Sequence, residues 1–460
     1  MLKFLLIIVS LLCSQLLVAQ NVRRRPIPVD WYQKDPAMDS LAGITLDKAY
    51  GLLTCRTSHT VIVAVIDNGV DIRHEDLRAI IWTNLKEIPG NGIDDDQNGF
   101  TDDIHGWNFR GMTDGTIVRN EQAGCLQLYE KWRARYDAAD TAAFDSAEKA
   151  NWTIFEKAKK EYFDGRSSQD STDRLFVYNI DYASSSLIAG DPDNDSARHY
   201  GSPLSILSPD LSHGTHVAGI IAAVRNNGIG IRGIADNVRI MPVVAGTAAG
   251  DERDKDVAAA IHYAVDNGAK VINMSFSKLF SPDKKVVDEA VLYAEKHDVL
   301  IVHAAGNDGV DIDSATNYHY PIGIYDDGRR AGNFITVGWS RPLFDHRLAH
   351  PYSDYGKKNV DLYAPGSDIY STVPDNRYDY KSGSSMAAPV VTGVAALLFS
   401  YFPQLSAQQV KEILMRSAFR PQQMVDKPRS KISVPFSSMS VSGGIVNAYR
   451  AVKMVLEMGL

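Results

Sequence analysis

Cysteine is nearly missing from this chain: three are present in 460 residues, at positions 13, 55 and 125. A basic excess is missing too, since the formal net charge is −8. Phosphate backbones are held by basic surfaces, so nucleic acid is excluded as the main partner. That charge suits a soluble protein, including one that holds cations. After the first nineteen residues no run is long and apolar enough to read as a membrane span. Internal repeats and low-complexity tails are absent as well. What is there is ordinary globular composition, 45% hydrophobic and 23% charged, ample for a sizeable core.

The start of the chain carries an address. Met1 to Ala19 hold one cation, Lys3, then an apolar run from Phe4 to Leu12, then Leu16-Leu17-Val18-Ala19. A charged start, a short greasy middle and a small residue near the cut make a secretory signal peptide over 1–19. Ser14 and Gln15 interrupt the run, which argues against the alternative, an uncleaved anchor. Cleavage would leave Cys55 and Cys125, for which export permits one disulfide; two unpaired buried thiols are the plain alternative. Export leads to secretion, the periplasm or the cell surface. Residues 20–57 read as an N-terminal arm, with Trp31 and Tyr50 as its packing residues.

From His59 a regular alternation sets in. His59 to Ile66 is nearly continuous, apolar and β-branched, the mark of a strand buried on both faces. Segments 238–244, 269–276, 299–304 and 334–337 read the same way. Helical patterns lie between them at 216–226, 254–267 and 282–297, and later at 386–402, 406–417 and 446–458. Strand and helix in turn predict an α/β domain over 58–460 around a mostly parallel sheet, with helices on both faces. Residues 110 to about 205 break the rhythm, being too long for a connection inside a compact domain. A charged, helix-prone stretch from Gln122 to Phe163 and then polar sequence predict an insertion, in part a helical hairpin lying on the body.

Chemistry-bearing segments stand where elements begin or end. Asp67-Asn68-Gly69 follows the first strand, where catalytic groups of open α/β sheets gather, although the same three residues make a good turn. His213-Gly214-Thr215-His216 opens a helix, and a histidine there can serve as general base. The two histidines are not a metallopeptidase pair, because the glutamate of HExxH and a third ligand are missing. Gly383-Ser384-Ser385-Met386-Ala387-Ala388-Pro389 opens another helix. A serine there is usually an N-cap, yet a nucleophile also profits from the helix N-terminus. Ala304-Ala305-Gly306-Asn307-Asp308-Gly309 follows a buried strand and, alone, reads as a turn.

Together these segments resemble the subtilisin-like serine peptidases: D-x-G after a strand, H-G-T-H-V-A-G, and G-x-S-M-A-x-P, in the order Asp, His, Ser. The resemblance covers about 58–109 and 206–460. It implies a subtilisin-like fold and a serine endopeptidase with Ser385 as nucleophile, His213 as base and Asp67 orienting the imidazole. It further implies Asn307 as an oxyanion donor beside the backbone N–H of Ser385. His216 is expected to be structural. Protein or peptide substrates would lie along Ile272 to Ser277, read as an edge strand, with Ser275, Phe276, Ser277, Ala304, Ala305 and Gly306 as the binding residues. Many relatives have Ser-Leu-Gly where this chain has Ser275-Phe276-Ser277, so specificity does not carry over. The arm is also too short for the folded inhibitory prodomain many such zymogens carry.

Two further features lie between Asp67 and His213. The loop from Asn91 to Asp103 is the densest acid cluster. Counting from Asp94, oxygen ligands Asp96, Asn98 and Asp102 fall on positions three, five and nine of an EF-hand-type loop, but position twelve is His105. An EF-hand is thereby excluded, leaving a calcium loop of other geometry or a solvated acidic turn. The insertion separates Asp67 from His213 by 146 positions, so it leaves and returns near the cleft, as a substrate-restricting flap or a peripheral decoration. The rival to the peptidase reading is a catalytically silent peptide-binding or scaffold protein on the same fold. An esterase is disfavoured because the G-x-S-x-G elbow and the late histidine are absent.

Overall fold

The computed structural model describes residues 26–110, 124–167, 200–203, 211–246 and 251–460. Residues 1–19, expected to be a signal peptide, and much of the insertion lie outside them.

The arm comes first. It packs onto the body through the helix α1 (Leu46–Leu53) and the buried side chains of Trp31 and Tyr32. Trp31 Nε1 donates to Ser367 O (3.2 Å), Tyr50 Oη to Ile234 O (2.8 Å), and Ala448 N to Ile44 O (2.8 Å). The sheet begins with β1 (Val61–Asp67), β2 (Trp107–Asn108), β3 (Ser202–Pro203), β4 (Val238–Val244) and β5 (Val271–Met274). It continues with β6 (Leu300–Ala304), β7 (Phe334–Ser340) and β8 (Leu362–Pro365), in the spatial order β3-β2-β4-β1-β5-β6-β7-β8. Every pairing is parallel except that of the edge strand β3 with β2.

Successive side chains of a strand point to opposite faces. Along β1, Val61, Val63 and Val65 enter one core, while Ala64 and Ile66 enter the other. The first core is closed by α4 (Ser212–Ala222), α7 (Ser384–Tyr401), α8 (Ala407–Ser417) and α9 (Ala448–Glu457); the second by α5 (Asp254–Asp266) and α6 (Lys284–Lys296). Both faces are therefore covered, which is why the strands read as continuous apolar runs. α7 is long and apolar enough to cross a membrane by composition, contrary to the expectation of no such run, but 89% of it is buried inside the fold.

Some elements differ from expectation. α4 starts at Ser212 and ends at Ala222, because Ala223 turns extended and Val224 N bonds Asp76 O instead. The hairpin of β9 (Ile369–Val373) and β10 (Arg377–Lys381) was not legible, since β10 is largely exposed and polar. In the insertion, α2 (Gly124–Tyr136) and α3 (Ser146–Ser167) pack as an antiparallel pair. Their core holds Leu128, Tyr129, Tyr136, Phe155 and Tyr162, and Phe280 of the body closes it. Lys131 Nζ reaches Pro282 O (2.9 Å) and pairs with Asp283. Cys125 is buried at this junction, Cys55 is exposed, and no disulfide joins them.

Candidate active site

Asp67 ends β1, and its peptide oxygen accepts from Ala245 N and Gly246 N (both 3.1 Å) just past β4. The carboxylate is 4% exposed and faces His213 Nδ1 at 2.8 and 3.0 Å. His213 stands in the first turn of α4. Gly214 must follow it, because a Cβ there would lie 2.2 Å from Gly69 O, so the helix could not seat against the Asp67 turn. The imidazole is 32% exposed, so its far edge faces the cleft. Burial pushes its proton affinity down, but the charge and hydrogen bond of Asp67 outweigh that and leave the pKa above the usual value.

Ser385 is in the first turn of α7, after Gly383. Its hydroxyl donates to Ser275 O (2.7 Å) rather than to His213, and Ser275 Oγ donates to Ser385 O (2.9 Å). Catalytic hydrogen bonds of a resting site often tighten only around substrate. Asn307 Oδ1 accepts from Ser384 N (2.9 Å) and Ser384 Oγ (3.2 Å). With that oxygen committed, the amide NH₂ is the end left for the cleft. Ser384, the residue before Ser385, thus fixes the orientation of the Asn307 amide.

One cleft of about 370 Å³ brings together Asp67, His213, Ser275, Phe276, Ser277, Asn307 and Ser385. Ala304, Ala305 and Gly306 do not line it; Ala304 and Ala305 are buried beneath, and Gly306 N bonds Ser384 Oγ (3.2 Å). The edge-strand expectation for Ile272 to Ser277 needs correction. β5 is interior, hydrogen-bonded to β1 and β6 through Met274, because Val271–Met274 is buried on both faces. Only from Ser275 does the chain leave the sheet. His216 is structural: its Nε2 faces Ile369 O (3.0 Å) and Asp379 O (3.1 Å), and burial lowers its pKa to about 3.

Sequence reading missed the acidic lip. Asp251 and Glu252 line the same cleft, just beyond the carboxyl end of β4. Burial, reinforced by Asp251, raises Glu252 to about 7, and burial also raises Asp251 despite Lys278. Asp251 Oδ2 accepts from Gly124 N (2.8 Å), tying the inserted hairpin to the cleft. The rule that functional groups gather at strand ends was the available signal.

The acidic loop does not gather the four expected ligands. Asp94 and Asp96 converge with Glu87, their ligand oxygens within 4.8 Å of one another. Asp102 instead accepts from Gly90 N (2.7 Å) and Gly92 N (3.0 Å), and Asn98 Oδ1 from Phe100 N (2.8 Å). Turn amides bond the converging group as well, with Asp95 N donating to Glu87 Oε1 (2.8 Å), Gly99 N to Asp94 Oδ2 (2.8 Å) and Asn98 N to Asp96 Oδ1 (3.2 Å). Glu87, seven positions before Asp94, was outside the pattern read.

A profile described as the subtilase family matches residues 58–438. The thermophilic serine proteinase of Bacillus sp. (strain AK1) is 45% identical over 189 residues, 41% of this chain and 43% of that protein. Subtilisin-like protease 1 of Plasmodium vivax is 27% identical over 424 residues, 90% of this chain and 50% of that protein. The chain thus spans half or less of the length of these relatives. A crystal structure of a lanthipeptide protease superposes with a TM-score of 0.50 at 21% identity, covering 89% of this chain and 93% of that one, a likeness of fold.

Proposed function

Since this chain belongs to the subtilase family, we propose that it is an exported serine endopeptidase acting through Ser385, His213, Asp67 and Asn307. The observation that carries the reading is the Asp67–His213 pair, 2.8 Å apart, facing the cleft that also holds Ser385 and Asn307. Ser385 Oγ attacks a peptide carbonyl while His213 Nε2 takes its proton and later delivers it to the leaving amine. Asp67 fixes the Nδ1–H tautomer and stabilises the imidazolium. The Asn307 amide and Ser385 N–H receive the oxyanion. A protein or peptide substrate lies along Ser275–Phe276–Ser277, where the chain has left the sheet and lines the cleft.

The hairpin of α2 and α3 acts as a flap, a reading supported by the Gly124–Asp251 bond at the cleft. A structural calcium fits Glu87, Asp94 and Asp96, three hard oxygen donors already clustered. It would brace the loop and take no part in the chemistry. Export is tested by sequencing the N-terminus of the mature protein from the medium or envelope fraction; a chain still starting at Met1 contradicts it.

Labelling with a fluorophosphonate decides the central reading. The wild type should label and cleave casein, and Ser385→Ala should do neither. Peptide binding without labelling would instead establish the silent peptide-binding or scaffold alternative.

A further inference from the structure

We propose that a second, buried ion pair, His319 with Asp354, positions Asn307 and so sets the oxyanion hole; the proposal rests on the peptidase reading above. Both are positioning residues, since neither lines the cleft.

The loop after β6 is held from one side by Asp354. Its Oδ1 accepts from Asp308 N (3.1 Å) and Val310 N (2.8 Å), and its own N–H donates to Gly306 O (3.3 Å). Peptide groups on both sides of Asn307 are therefore bonded to one residue. Asp354 Oδ2 is then engaged by His319 Nδ1 at 2.7 Å, while His319 Nε2 faces Asp308 Oδ2 at 3.3 Å. His319 Nδ1 also lies 3.1 Å from Ala305 O. The imidazole thus touches the loop at its start and just past Asn307.

The pair is sealed, with His319 3% and Asp354 0% exposed. Burial pushes the imidazole down, but the carboxylates of Asp308 and Asp354 close beside it raise it to about 9, which favours its charged form at neutral pH. Gly306 shows how closely the loop lies on the pair. It has φ +115°, and a Cβ there would fall 1.9 Å from His319 Nδ1 and 2.1 Å from Asp354 Oδ2. On the opposite side Ser384 holds Gly306 N and Asn307 Oδ1. Asn307 is gripped between the nucleophile's helix and the buried pair. Preorganised donors stabilise a transition state only where they are held in place, so loosening one grip should cost turnover.

The test is a double-mutant cycle on the full chain. Removing one partner of a buried pair is strongly destabilising. The variants are therefore His319→Gln and Asp354→Asn, which keep shape and hydrogen-bonding capacity, with Asp308→Asn as a milder third because Asp308 is half exposed. Each is made in the wild-type and Asn307→Ala backgrounds, and kcat and KM are measured on one peptide substrate. With Asn307 present, kcat should fall about tenfold or more, part of the roughly 10²–10³ that one oxyanion donor is worth, with KM within about twofold. With Asn307→Ala, the same substitutions should change kcat by less than about twofold, because residues acting through one group are non-additive. Equal losses in both backgrounds, or a folded variant with unchanged kcat, would overturn the proposal. If neither buried variant folds, the Asp308→Asn cycle decides by the same criterion. An inactive wild type would instead count against the peptidase reading itself.

Discussion

Asp67 with His213 and Asp354 with His319 are the same chemical pair in two settings. Both are carboxylate–imidazole contacts of 2.7–2.8 Å, and in both the carboxylate is buried. The difference lies at the other ring nitrogen. In His213 it faces a cleft; in His319 it faces a second carboxylate, that of the half-exposed Asp308. One imidazole can exchange a proton with a bound molecule, and the other is held charged as a strut. A carboxylate beside a histidine is thus made catalytic by what is left open, not by the pair itself.

The largest break in this comparison comes from Asp67→Asn. It removes the charge and the tautomer preference while leaving the shape, and kcat should fall on the order of 10⁴, as in other triads. Next is Asn307→Ala, with an expected fall in kcat of about 10²–10³ and little change in KM. A loss confined to KM would mean that Asn307 binds substrate rather than the oxyanion.

The pH dependence separates the pairs. The base His213 must be neutral, and its pKa lies above the ordinary value, so kcat/KM should rise with pH to a midpoint above about 6.5. Glu252 titrates at about 7 in the same cleft, so Glu252→Gln should move that limb and reveal its share. His319 contributes to stability with the sign of a raised group. Its stabilisation is complete below about 6.5, the unfolded value, and is lost as pH rises through about 9. His216, held at about 3, has the opposite sign: the unfolded chain takes up its proton first, so stability drains as pH falls from about 6.5. Thermal melts of Ser385→Ala from pH 4 to 10 should therefore peak near neutrality, and His319→Gln should flatten the alkaline side alone.

The smallest effect is expected at the acidic loop. Chelation with EDTA should lower Tm by about one degree, on the order of 1 kcal/mol at the melting midpoint of a chain this long, and Asp96→Ala should remove that response. A Tm indifferent to both chelator and added calcium would count against the ion.

How much was legible follows from where the information sits along the chain. The core of the sheet could be read because Val61–Asp67 or Leu300–Ala304 must be apolar throughout when both faces are covered. β10 escaped because an outer ribbon has no such constraint and reads as polar loop. The four residues that meet in the cleft were visible because each sits in a contiguous motif at the end of an element. Glu87, Asp251, Glu252 and the His319–Asp354 pair were not. Each is a single ordinary residue whose meaning comes from neighbours distant in sequence.

The sequence by itself determined the alternation of strand and helix, the presence of an insertion, and the residue types for nucleophilic acyl transfer in their order. Those properties are local, set by periodicity, turn chemistry and short motifs. Only the tertiary structure decided that β5 is interior and that the groove begins at Ser275. It also decided that Asp102 serves turn amides and that two like pairs divide into one open and one sealed. Burial, exposure and the third partner of each group are properties of packing, and packing joins residues that no reading along the chain brings together.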